Sequence, residues 1–133
     1  MRRAVAASCL AVAAAACAVP AASADRERRL HRPTPPLARA LTVDELEWAL
    51  RPSKRVVAAG VVRIRVYNRG EDDHDLVLVD HDGRPHVVSL KPGATDTLAP
   101  RLARGRYKLF CSLQAGTPES HEERGMQITL EVR

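Results

Sequence analysis

Residues 126–133 read Met-Gln-Ile-Thr-Leu-Glu-Val-Arg, a strict alternation of apolar and polar side chains. Successive side chains of an extended strand point to opposite faces. Met126, Ile128, Leu130 and Val132 therefore share a buried face, and Gln127, Thr129, Glu131 and Arg133 share a wet one. The same period returns in residues 60–68, where Val62, Ile64 and Val66 alternate with Arg63 and Arg65. It returns again in residues 104–111, with Tyr107, Leu109 and Cys111 opposed to Arg106 and Lys108. Leu76-Val77-Leu78-Val79 is a continuous apolar run, the signature of a central strand buried on both faces. Shorter strands are expected at 47–50, 55–58, 85–90 and 95–99. Gly60, Asn68-Arg69-Gly70, Asp82-Gly83 and Lys91-Pro92-Gly93 separate them as turns. Only residues 42–50 compete as a helix, because Thr42-x-x-Glu45 has the form of a capping box. About eight short strands with a turn signal every ten residues or so predict an all-β sandwich.

The chain of 133 residues is enough for one such core and too short for two. Its first 24 residues have another character. Met1-Arg2-Arg3 is a positive start, an Ala-rich apolar stretch follows, and Pro20-Ala21-Ala22-Ser23-Ala24 closes it with small residues. This is the pattern of a signal peptide, which predicts an exported protein, extracellular, periplasmic or held at the cell envelope. Ala14-Ala15-Ala16-Cys17 is a poor lipobox, since a larger aliphatic residue is usual at its first position, so a lipid anchor at Cys17 is a minor reading. No other segment is apolar enough to span a membrane. Residues 25–41 hold Arg26, Arg28, Arg29, Arg32 and Arg39 with three prolines, and read as a flexible basic linker before a domain at 42–133. The basic excess does not imply nucleic acid: aromatic residues are only 3% of the chain, too few to build a stacking surface.

Export bears on the cysteines. Cys9 and Cys17 depart with the leader, and a lone Cys111 cannot form an internal disulfide. It is either a buried inert thiol or a chemical group. Strand parity separates these readings. Cys111 ends a strand whose inward set is Tyr107 and Leu109. Met126 opens the last strand on its inward side, and His74 shares parity with Leu76 and Leu78. His121 lies in the loop between Cys111 and Met126. Each has a plain alternative: packing for Cys111 and Met126, an acidic turn around His74, a polar loop for His121. Together, in the order His, Cys, His, Met, they form the donor set of a mononuclear blue-copper centre. His81 and His86 flank the Asp82-Gly83 turn and are expected at the surface, and His31 falls in the linker.

The segment Asn68-Arg69-Gly70 followed by His74-Asp75-Leu76-Val77-Leu78 resembles the first-histidine segment of the cupredoxins. Tyr107-Lys108-Leu109-Phe110-Cys111-Ser112-Leu113, with His121-Glu122-Glu123-Arg124-Gly125-Met126, resembles their ligand loop and final strand. The resemblance covers residues 47–133 and implies a Greek-key sandwich holding one copper ion. His74, Cys111 and His121 would be its equatorial ligands, and Met126 the axial one. It also implies a monomeric one-electron carrier, not an enzyme. A redox partner protein would dock at residues 113–118, around His121. One feature departs from the family: residues 112–120 separate Cys111 from His121, where two to four residues are commoner. A two-copper centre would need a second Cys in that loop, and there is none. Copper storage or delivery, or a metal-free binding module, are the alternatives to electron transfer.

Overall fold

The computed structural model describes residues 36–133. The expected leader, Cys9, Cys17, His31 and most of the basic linker lie outside these residues. Eleven strands are present among the described residues: β1 Ala40–Leu46, β2 Ala49–Pro52, β3 Val56–Val57, β4 Gly60–Val61, β5 Arg63–Asn68, β6 His74–Val79, β7 Pro85–Leu90, β8 Thr95–Leu98, β9 Arg101–Leu102, β10 Gly105–Phe110 and β11 Gln127–Val132. Three have only two residues, among them β3, which falls within the strand expected at 55–58, while β1 stands where no strand was expected.

Two sheets carry the fold. One has the order β2-β1-β5-β8, the other β3-β11-β10-β6-β7, and β4 with β9 makes a small third pairing. Alternation delivers one face of each main sheet to a common interior. Leu41, Val43, Leu50, Ile64, Val66 and Leu98 come from the first sheet. Leu76, Leu78, Leu109, Leu130 and Val132 come from the second. β6 lies between β10 and β7, and its residues from His74 to Leu78 are buried on both faces, as a central strand requires. Most pairings are antiparallel, but β1 runs parallel to β5 and β11 parallel to β3.

The helical alternative for residues 42–50 is not realised. Thr42, the would-be cap, donates its amide to Ser53 Oγ at 2.9 Å, and Glu45 turns into the core. Leu41, Val43 and Glu45 are buried in alternation, and β5 and β2 on either side supply the backbone partners a helix would have found within itself. β1 also opens at Ala40, inside the stretch expected as linker. The strand expected at 47–50 is instead a turn at Glu47-Trp48 followed by β2. That turn stands at the end of the sandwich where β6 begins.

Candidate metal centre

His74 is the first residue of β6, where the loop from Asn68 tightens into the strand. Asn68 organises that loop: its side-chain amide donates to Asp72 O at 2.8 Å and Leu90 O at 2.9 Å, and its Oδ1 accepts from Gly70 N at 2.9 Å. Cys111 follows the last residue of β10, and its amide donates to Met126 O at 3.0 Å. A chain of turns occupies residues 112–125. Within it His121 N donates to Leu113 O at 3.2 Å, and Met126 N donates to His121 O at 3.0 Å. These two bonds fold His121 back over Cys111.

The result brings His74, Cys111 and His121 together, each buried, with one donor atom from each inside a span of 4.8 Å. His74 Nδ1 and His121 Nδ1 are 3.2 Å apart, and Cys111 Sγ is 3.4 Å from His121 Nδ1. Donors this close can share one ion through the bonds of about 2.0–2.3 Å typical of imidazole and thiolate ligation. The donor chemistry also fits: two imidazoles and a thiolate suit a soft or borderline transition metal. Met126, fully buried, sits next to this group through its backbone bonds to both Cys111 and His121. His81 and His86 are elsewhere. His81 stacks on Tyr107 with ring centroids 4.5 Å apart, and His86 Nε2 meets Asp80 Oδ2 at 3.1 Å.

The surroundings tune each donor. Burial pushes the Cys111 thiol up to about 12, against the pull of the Asp75 amide, which points at its sulfur from 3.5 Å. The Asp75 side chain ties the two segments together, accepting from Ser112 N and from Ser112 Oγ, both at 2.5 Å. Burial, and then the neighbouring His74, hold His121 below the ordinary imidazole value. On its outer edge His121 packs against Trp48 in a T-shaped contact of 4.8 Å, and Arg124 lies over the Trp48 ring at 4.2 Å. His121 is thus only 3% exposed, which differs from the solvent-near ligand the resemblance implies. It borders a cleft of about 530 Å3 lined by Trp48, Asp72, Asp73, Leu113, Glu119 and Arg124, among others.

Two contributors were not visible in the sequence. Glu47 Oε1 lies 3.1 Å from His74 Nε2, and Trp48 packs edge-on against His121. Neither lies near a ligand in sequence, so no local motif signals them; only the pairing of β1 with β5 carries their turn to this end of the sandwich. Asp75 adjoins His74 in the chain, yet its bonds to Ser112 depend on β6 and β10 being neighbours.

No protein-family model matches the chain, and no curated protein matches it. Among solved structures it is similar to a purple cupredoxin from Nitrosopumilus maritimus, at 18% identity and a TM-score of 0.42, over 59% of this chain and 75% of that one. It is also similar to a point mutant of amicyanin in its reduced state, at 15% identity and a TM-score of 0.49, over 74% and 91%. A third likeness is to a chain of a heme-copper terminal oxidase dimer, at 17% identity and a TM-score of 0.50, over 71% of this chain and 63% of that one. At these identities the likeness concerns the fold alone, a two-sheet β-sandwich.

Proposed function

We propose that this chain, a sandwich of cupredoxin fold, binds one copper ion through His74, Cys111 and His121 with Met126 as a weaker fourth donor, and serves as a one-electron carrier. The observation that carries the reading is the buried meeting of one thiol and two imidazole nitrogens at 3.2 and 3.4 Å. Bound copper would supply a Cu(I)/Cu(II) couple, for which thiolate and thioether favour the reduced ion and imidazole accommodates the oxidised one.

The chain's own residues do the rest. The Asp75 amide, aimed at Cys111 Sγ, withdraws charge from the sulfur and favours the reduced state. The Asp75–Ser112 bonds keep the ends of β6 and β10 at fixed separation, so the donors need not move when the charge changes. Leu76, Leu109 and the other core residues exclude water beneath the site. His121 borders the cleft, whose lining includes Leu113 and Gln114 of the loop where a redox partner would dock. Deep burial of all three donors favours a retained ion over one handed on in storage or delivery. The role is that of a carrier, with no catalytic step assigned to these donors.

The reading is tested by loading the full chain with Cu(II), removing excess metal and measuring retained copper together with its voltammetric response. One equivalent and a reversible one-electron wave are expected, both lost in His121→Ala. Copper that exchanges freely with a competing chelator and gives no reversible wave would contradict a carrier role.

A further inference from the structure

The turn Glu47-Trp48, between β1 and β2, reaches both histidines of the site. Glu47 Oε1 lies 3.1 Å from His74 Nε2 and accepts from Glu71 N at 2.8 Å and from Asp72 N at 3.0 Å. One carboxylate oxygen therefore holds the outer nitrogen of a candidate ligand and the backbone of the loop that delivers it. The site has been cleared for this carboxylate: a Cβ at Gly70 would overlap Glu47 Oε1 and the carbon bearing it. The next residue is seated in the same way. Trp48 O lies 2.9 Å from where a Cβ of Gly125 would stand, and Gly125 has φ 125°, a conformation side chains rarely adopt.

We infer that Glu47 is a positioning residue for the metal centre: by accepting a hydrogen bond at His74 Nε2, it keeps the single proton of the neutral ring on that nitrogen and leaves Nδ1 bare toward Cys111 and His121. The inference rests on the copper reading for its purpose, though not for its geometry. A neutral imidazole is a donor at one nitrogen and an acceptor at the other. A carboxylate can only accept, so a ring facing it presents its N–H there. The remaining lone pair is then at Nδ1, 3.2 Å from His121 Nδ1. Carboxylate–histidine–metal arrangements of this kind fix ring orientation and raise ligand basicity, and losing the outer partner typically weakens metal binding about 10–100-fold.

The test uses the metal-free full chain, so it is independent of whether copper binds. Long-range proton–nitrogen correlation spectra of the histidine rings, with His74 assigned through a His74→Asn variant, report which nitrogen carries the proton. The expected wild-type result is His74 protonated at Nε2 only. Glu47→Ala should give a mixture of tautomers, and Glu47→Gln, which keeps a carbonyl acceptor, should restore the wild-type pattern. His74 protonated at Nδ1 in the wild type, or an unchanged tautomer in Glu47→Ala, would overturn the inference. Should Glu47→Ala not fold, the wild-type spectrum alone decides. In a parallel copper titration, Glu47→Ala should bind about 10–100-fold more weakly than wild type; equal affinity would overturn the inference, while failure of wild type to bind copper would refute the copper reading and leave the tautomer result standing.

Discussion

Cys111 shows how far a single residue's surroundings set its chemistry. Its thiol is buried, and the loss of solvation moves it to about 12 from a reference value of 9.0. The metal-free site thus holds a protonated, poorly nucleophilic sulfur, since the thiolate is the reactive form. A rise of this size lowers the thiolate fraction at pH 8 by about a thousandfold. Alkylation of Cys111 by iodoacetamide, followed by peptide mass spectrometry, should be at least about tenfold slower in the folded metal-free chain than in denaturant, since a more basic thiolate offsets part of the lost fraction. Comparable rates would mean that the sulfur is open to solvent. The sequence placed this sulfur well: alternation with Tyr107 and Leu109 was enough to turn it inward. The same logic found His74, because parity on a strand is a local property. It could not show Glu45, fully buried with neither carboxylate oxygen hydrogen-bonded, because a capping-box reading of Thr42 and Glu45 made equal local sense.

The turn between β1 and β2 owes its place to strand pairing. Strand lengths and the turn residues that separate them were readable from periodicity, and β5, β6, β7, β10 and β11 fall where alternation or apolar runs put them. What was not readable is the pairing. The parallel register of β1 on β5 sets Glu45 beside Asn68, and so places the Glu47-Trp48 turn next to the loop that leads to His74. Contacts of this kind join residues more than twenty positions apart and leave no trace in any short window. Gly70→Ala examines the seat that the turn occupies. The added methyl group would displace the Glu47 carboxylate from its partners, so the variant should lose about 1 kcal/mol in urea unfolding and show the mixed His74 tautomers of Glu47→Ala. An unchanged midpoint and tautomer would mean that the carboxylate can move aside freely. The nine-residue loop 112–120 is the clearest departure from the expected pattern. The three donors meet all the same, with His121 held by its backbone bonds to Leu113 and Met126.

Across the whole molecule, stability should respond to pH through Glu45. Burial first, and then the charge of Asp75, raise its carboxyl from 4.5 to about 8. The folded chain therefore keeps a proton on Glu45 that the unfolded chain releases, so this residue's contribution falls as pH rises from about 4.5 to about 8 and is constant beyond. His121, held low by burial and His74, acts in the opposite sense near neutrality, so the comparison must isolate Glu45. The difference in unfolding free energy between wild type and Glu45→Gln should change in the variant's favour by up to about 1.4 kcal/mol per pH unit across that window. A flat difference would show that Glu45 is ionised in the fold or reaches water. The sandwich can bear such a group because twenty apolar side chains fill the remainder of its interior.

Cys111, with the two histidines, is proposed to form a copper–thiolate centre. The most direct measurement is a visible absorption spectrum of the full chain with one equivalent of Cu(II), compared with Cys111→Ser. An intense thiolate-to-copper charge-transfer band is expected, bleached by reductant, restored by oxidant and missing from Cys111→Ser. Copper bound with no such band, or a spectrum identical in the two proteins, would contradict it.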